Sequence, residues 1–172
     1  MSTFQAETLT SESPESFYSS LAASLESLIG AEADGLAQLA NAAALLAHHI
    51  DRINWLGFYL LRDGELVVGP FQGKPACTRI KLGRGVCGTA AQAQKTIVVD
   101  DVDAFPGHIA CDAESRSEIV VPLFSEGTLV GVLDVDSPVP ARFSEADAAG
   151  VVALARVLSK RVHWGTLLLT SP

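Results

Sequence analysis

The chain has 172 residues, of which 48% are hydrophobic and 19% charged, so we expect one domain with its own apolar core. Its formal net charge of −8 opposes binding to nucleic acid and to anionic membranes, because both surfaces are negatively charged. The sequence shows neither an apolar run of bilayer-spanning length nor the basic and apolar regions of a signal peptide, which favours a cytoplasmic location.

Two helices are predicted near the start of the chain, after a polar segment, residues 1–12, that we expect to be mobile. The first begins at Ser13, a good N-cap residue followed by proline, and stops near Gly30. The second covers residues 34–50. Its apolar residues fall on one face at helical spacing: Leu36, Leu39, Ala43, Leu46 and Ile50.

The pattern then changes to alternation, which is typical of strands. In the first strand it puts Trp55, Gly57 and Tyr59 on one side. The predicted strands are residues 53–61, 65–71, 78–81, 96–99, 117–124 and 128–136. The further predicted helices are residues 86–94 and 144–162, which leaves 163–172 as a C-terminal tail. This order predicts an α+β domain over residues 13–162, with helices covering a mostly antiparallel six-stranded sheet.

Residues 100–114 have no predicted secondary structure, and loops this long inside a compact domain are typically functional. Cys111 lies in this loop, with His108 three residues before it. We predict that Cys111 is exposed and reactive; the alternative is a loop anchor packed beside Ile109. His108 either lowers the pKa of the thiol or shapes the loop through a hydrogen bond.

The chain has three cysteines, Cys77, Cys87 and Cys111. Their spacings of 10 and 24 residues match no usual zinc pattern, so no metal site is expected. Cysteines of a cytoplasmic protein serve redox or nucleophilic chemistry, or they are buried as small apolar residues. Cys87 falls at a predicted helix start, where a thiolate is favoured; burial is its alternative.

Carboxylates end the apolar run at residues 129–133, where Asp134 and Asp136 share one face of the strand. Glu118 follows the Cys111 loop. Clustered carboxylates raise one another's pKa, so one of them can stay protonated and act as an acid. This pattern favours a site, with solvation at the strand end as the alternative.

Five short motifs follow one another along the chain: GPFQGKPAC (residues 69–77), GRGVCGTA (83–90), FPGHIACD (105–112), SEIVVP (117–122) and GVLDVDSP (131–138). In this order they resemble the motifs of the free methionine-(R)-sulfoxide reductases, over residues 15–162. The resemblance implies a GAF fold and a cytoplasmic homodimer that acts in oxidative stress. It also implies recycling by thioredoxin, with no bound cofactor.

The resemblance assigns roles to the thiols. Cys111 attacks the sulfoxide sulfur, and Cys77 resolves the product through a Cys77–Cys111 disulfide. Sequence separation neither supports nor excludes that pairing. Cys87 is either an alternative resolving thiol or a buried residue.

The same resemblance places Glu118, Asp134 and Asp136 in the substrate pocket. We predict that Glu118 and Asp136 handle the oxygen and its proton, and that Asp134 supports them or binds the substrate ammonium. Trp55 and Tyr59 are predicted to wall in the S-methyl group, since sulfur–aromatic contacts are favourable; ordinary core aromatics are the alternative.

Two other functions remain open from the sequence. One is a non-enzymatic GAF-like sensor of a small ligand, because one fold hosts many functions. The other is a thiol or zinc redox regulator that uses Cys77, Cys87, Cys111 and His108.

Overall fold

The structure is a computed structural model that describes residues 13–107 and 113–167. The predicted mobile segment, residues 1–12, lies outside this part. Within it the helices are α1 (Pro14–Ile29), α2 (Gly35–His49), α3 (Gly85–Ala93) and α4 (Glu145–Arg161). The strands are β1 (Trp55–Arg62), β2 (Glu65–Gly73), β3 (Arg79–Lys81), β4 (Ile97–Val99), β5 (Ser117–Ser125) and β6 (Thr128–Ser137). The predicted order of elements is confirmed.

Two helices begin at capping boxes, at the serines where the sequence predicted the helix starts. The Ser13 side chain accepts from the Ser16 N–H, and the Ser16 hydroxyl accepts from the Ser13 N–H. Ser144 and Asp147 do the same at the start of α4. These bonds satisfy N–H groups that have no partner within the helix, which fixes where each helix starts.

α1 ends at Ile29 with Gly30 as its C-cap, where the sequence predicted the stop, but the conformation differs from that of a usual glycine stop. This glycine is the C-cap, but its φ is −68°, so it does not stop the helix by turning left-handed. The buried amide of Gln38 donates instead to the carbonyl of Ile29, at 2.9 Å. The same amide donates to the Arg161 carbonyl and accepts from the His163 N–H. Gln38 therefore joins the C-terminal ends of α1 and α4 to α2.

The sheet has the order β3-β2-β1-β6-β5-β4, and every neighbouring pair is antiparallel. Both edges are strands of three residues, which leaves little unpaired backbone for another chain to join. The predicted fold class is thus confirmed as α+β, with a six-stranded antiparallel sheet and helices on its faces.

The sheet separates two apolar clusters, because alternate residues of each strand point to opposite faces. From β1, Leu56, Phe58 and Leu60 pack toward α1, α2 and α4. Trp55 and Tyr59 point to the opposite face, where α3 packs. The predicted alternation of β1 is confirmed, and it places both aromatics on the α3 face.

The prediction that Leu36 lies on the buried face of α2 is wrong. The Leu36 side chain is 57% exposed, whereas Leu39, Leu46 and Ile50 are buried. The first turn of α2 points Gly35 inward instead. The Gly35 N–H donates to the Thr166 hydroxyl oxygen at 2.8 Å, and a Cβ on Gly35 would lie 2.7 Å from the His163 carbonyl oxygen. This close approach rotates Leu36 toward solvent.

The packed region extends past residue 162, the predicted domain end. Trp164 and Leu167 are buried in the cluster formed with α1, α2 and α4, and a short 3-10 turn, Trp164–Thr166, carries them there. Residues 168–172 lie outside the described part. Among the described helices, none has the length and apolar character needed to cross a bilayer.

Candidate active site

Strand pairing brings the predicted pocket residues together on the α3 face. Trp55 pairs with Asp136, and Gly57 pairs with Asp134, across β1 and β6. Glu118 pairs with Asp136 across β5 and β6. Directly opposed residues of antiparallel strands share a face. The expectation that Asp134 and Asp136 share one face is therefore confirmed, and Glu118 and Trp55 lie beside them.

The aromatic side chains form a continuous wall. The Trp55 and Tyr59 rings stack with their centroids 5.8 Å apart, and both residues are buried. Phe71 stacks on Trp55 at 5.2 Å, a contact that the sequence reasoning missed. A bulge between residues 68 and 71 of β2 breaks the alternation, so Val68 and Phe71 both pack toward the α3 face.

Two glycines make room for the Trp55 ring. A Cβ on Gly57 would lie 2.3 Å from the Phe71 Cβ and 2.7 Å from Trp55 Cη2. A Cβ on Gly73 would lie 2.6 Å from Trp55 Cδ1, and Gly73 has a φ of +131°, which L side chains rarely adopt. The wall therefore depends on these two glycines as much as on the rings.

Glu118 and Asp134 are buried carboxyl groups, 6% and 5% exposed. Burial raises the pKa of Glu118 well above its ordinary value, and the charges of Asp134 and Asp136 raise it further. Burial likewise raises the pKa of Asp134 to about 7. Within the described residues, Asp134 Oδ1 receives no hydrogen bond. The pocket thus contains carboxyl groups that hold protons near neutral pH, and a buried acceptor oxygen.

Cys87 lies in the first turn of α3, with its sulfur 3.9 Å from Glu118 Oε1. Its pKa is raised well above the ordinary value by complete burial, and then by the charges of Asp134 and Glu118. The expectation that a helix start favours a thiolate here is wrong, because burial and two carboxylates outweigh the helix dipole. Cys87 is a free, buried thiol.

The ligand atoms of Cys87, Glu118 and Asp134 lie within 4.8 Å of one another, which is close enough to hold a metal ion. In the described part of the chain this trio differs from the zinc set considered from the sequence, since it uses carboxylates in place of Cys77. Its thiol and two carboxyl groups favour their neutral forms, whereas metal ligands must be deprotonated.

Cys77 lies between β2 and β3, and its side chain is half-buried. Its carbonyl accepts a hydrogen bond from the Tyr59 hydroxyl at 3.1 Å, and its sulfur takes part in a disulfide bond. The Lys74 carbonyl accepts from Trp55 Nε1 at 3.1 Å. Cys111 and His108 lie outside the described residues. The segment bearing Cys77 is thus attached to the two aromatic residues of the wall.

The chain resembles proteins of known family over most of its length. The GAF domain profile matches residues 18–162. Protein YtsP of Bacillus subtilis (strain 168) is 53% identical over 85% of this chain and 91% of that protein. The free methionine-R-sulfoxide reductase of Escherichia coli (strain K12) is 51% identical over 84% of this chain and 87% of that protein.

A solved structure matches as closely. The free methionine-R-sulfoxide reductase of Neisseria meningitidis, in complex with its substrate, has a TM-score of 0.87 and 47% identity, covering 94% of this chain and 97% of that chain. The motif resemblance and the fold expected from it are confirmed. The chain belongs to the GAF domain family and, within it, to the free methionine-R-sulfoxide reductases.

Proposed function

We propose that this enzyme reduces free L-methionine (R)-sulfoxide to methionine with a cysteine thiol, and that thioredoxin regenerates the thiol. One observation carries the proposal: a stacked aromatic wall faces buried carboxyl groups whose pKa values are raised. A sulfoxide needs an apolar contact for its methyl group and a proton for its oxygen. This pocket offers both side by side.

In the proposed first step, the thiol of Cys111 reduces the sulfoxide. The oxygen passes from the substrate sulfur to the cysteine sulfur, methionine leaves, and Cys111 becomes a sulfenic acid. Glu118 protonates the oxygen as the thiolate attacks, and Asp136 assists it from the paired position on β6. The raised pKa of Glu118 supports this role, because a general acid must hold its proton at the working pH.

In the proposed second step, the Cys77 sulfur attacks the sulfenic acid sulfur. The S–S bond forms, the S–O bond breaks, and the oxygen leaves as water with the thiol proton. Thioredoxin then reduces the disulfide and is itself oxidised. The disulfide-bonded sulfur of Cys77 supports this assignment. The burial and raised pKa of Cys87 make it the weaker candidate for the same role.

The remaining groups would select the substrate. Trp55 and Tyr59 pack against the S-methyl group, and Asp134 binds the ammonium or supports the proton donor. A buried carboxylate that pairs with a free ammonium rejects a substrate whose amine lies in a peptide bond. We place this reaction in the cytoplasm, in a homodimer, without a bound cofactor or metal.

The direct test is an NADPH-linked thioredoxin assay with free (R)-sulfoxide, free (S)-sulfoxide and a peptidyl sulfoxide. We expect turnover with the free (R) form alone, and none in Cys111→Ser. Equal activity on the peptidyl substrate, or a fully active Cys111→Ser protein, would contradict the proposal.

The alternative function is a zinc-binding regulator, and the trio Cys87, Glu118 and Asp134 is the site that would hold its zinc ion. Metal analysis of purified protein separates the two functions. Stoichiometric zinc that disappears in Cys87→Ser would favour the regulator, and metal-free, active protein would favour the reductase.

A further inference from the structure

We propose that Tyr59 is a positioning residue for the resolving thiol: its hydroxyl holds the backbone of the Cys77 segment, residues 74–77, where Cys77 reaches the sulfenic acid. This inference rests on the proposed function. It concerns the second step of the reaction rather than the attack on the sulfoxide.

The Cys77 segment is held by hydrogen bonds at both of its ends. Trp55 Nε1 donates to the Lys74 carbonyl and the Tyr59 hydroxyl donates to the Cys77 carbonyl, each at 3.1 Å. The next residue, Thr78, accepts from the Val68 N–H at 3.1 Å. Lys74 also forms an ion pair at 2.7 Å with Glu114, which lies three residues after Cys111 at the end of the same loop. The Tyr59 bond is the one made to Cys77 itself.

The Tyr59 hydroxyl is a dependable donor. The residue is 1% exposed, and burial, followed by the charge of Asp134, raises its pKa far above the ordinary value. The proton therefore stays on the oxygen throughout the working range of pH. The backbone of Cys77 is then tied to the central strand β1, and its sulfur, on a half-buried residue, takes part in the disulfide bond.

One side chain thus serves two parts of the site. The Tyr59 ring stacks on Trp55 in the aromatic wall, and the Tyr59 hydroxyl holds the Cys77 segment. Substitution by phenylalanine keeps the ring and removes the hydroxyl, so it separates these contributions. Because the first step needs no contact with Cys77, losing the hydroxyl should slow disulfide formation more than it slows methionine release.

The experiment is a single turnover of reduced enzyme without thioredoxin. Methionine release and loss of free thiols are followed in parallel, and a dimedone-type probe traps the sulfenic acid for mass spectrometry. In Tyr59→Phe we expect the ratio of the disulfide-formation rate to the methionine-release rate to fall on the order of fivefold, the effect of one lost hydrogen bond. Trapped sulfenic acid should rise in Tyr59→Phe, and we expect the full rise in Cys77→Ser.

Tyr18→Phe is the matched control. It removes a buried hydroxyl that donates to Asp147 at 2.9 Å on the opposite face of the sheet, and its ratio should equal that of the wild type. Should Tyr59→Phe melt at a much lower temperature than the wild type, the ratio is measured for both proteins at a temperature where circular dichroism shows the variant fully folded. An unchanged ratio in folded Tyr59→Phe would overturn the inference. Failure of the wild type to release methionine would overturn the proposed function instead.

Discussion

The sulfur of Cys87 lies 3.9 Å from a carboxyl oxygen of Glu118, and both side chains are buried. Burial raises the pKa of both groups, because neither can share a negative charge with solvent. The charge of Glu118 raises the pKa of Cys87 further, whereas the hydrogen bond from Cys87 lowers the pKa of Glu118 by less than burial raises it. Cys87 is therefore held as a neutral thiol, a poor nucleophile, and Glu118 as a neutral acid.

Asp134 should make the protein less stable as the pH rises. Its pKa is raised to about 7 when folded and is about 3.9 in an unfolded chain. The folded state therefore binds the extra proton, so the contribution is complete below the unfolded pKa and is lost as pH rises through the folded pKa. Between pH 5 and 7 the loss reaches up to about 1.4 kcal/mol per pH unit.

Thermal melts from pH 4.5 to 8.5 check this dependence by comparing the wild type with Asp134→Asn. The variant should show a shallower slope, because Glu118, whose pKa is also raised by burial, still contributes in the same direction, and it should become the more stable of the two above pH 7. Asp63→Asn, at an exposed turn, is the control and should keep the slope of the wild type. Parallel curves for wild type and Asp134→Asn would contradict the prediction.

Glu118→Gln should abolish proton donation while preserving side-chain volume. We expect kcat on the free (R)-sulfoxide to fall on the order of 10²–10⁴-fold, the usual contribution of general acid catalysis. Steady-state kinetics with thioredoxin measure it. Glu145→Gln, at an exposed position in α4, is the matched control. A Glu118→Gln enzyme with wild-type kcat would remove Glu118 from the acid role.

Replacing Cys77 and replacing Cys87 should have different effects on turnover. Cys77→Ser should release one methionine per chain and then stop, because thioredoxin has no disulfide to reduce. Cys87→Ser should keep most of its thioredoxin-dependent turnover, since its pKa is raised by burial. Turnover assays and thiol counts after a single addition of substrate distinguish them. The reverse pattern would make Cys87 the resolving thiol.

Gly57→Ala should disturb the aromatic wall. Its Cβ would lie 2.3 Å from the Phe71 Cβ and 2.7 Å from Trp55 Cη2, so β2 at Phe71 and the Trp55 ring must both shift. We expect destabilisation of about 1–3 kcal/mol, as for other overpacked sites, together with a higher KM. Urea unfolding and kinetics measure both. Gly165→Ala, where a Cβ meets nothing within 4 Å, should change neither.

Local pattern predicted most of the fold, because periodicity and caps act over a few residues. The change of period after residue 50 separated helices from strands, and Ser13 and Ser144 marked helix starts. Alternation alone placed Asp134 and Asp136 on one face. These features needed no knowledge of distant residues.

The remaining features depend on contacts between distant segments. Phe71 was missed because a bulge in β2 reverses the alternation just before it. Leu36 was misplaced because the first turn of α2 is oriented by residues near 163–166. The predicted charge state of Cys87 was wrong because burial and the carboxyl groups beside it, which come from β5 and β6, raise its pKa. Strand register and burial decide such features, and neither can be predicted from a short stretch of sequence.

Gln38 has a consequence for how the molecule opens. The side-chain amide of Gln38, in α2, forms hydrogen bonds with the ends of α1 and α4. Fraying at either end would therefore leave this buried amide without one of its partners. The helical layer should therefore exchange its amide hydrogens as one cooperative unit rather than from its tips inward. Fluctuations that admit substrate would then be concentrated on the α3 side of the sheet, behind a helical layer that stays closed.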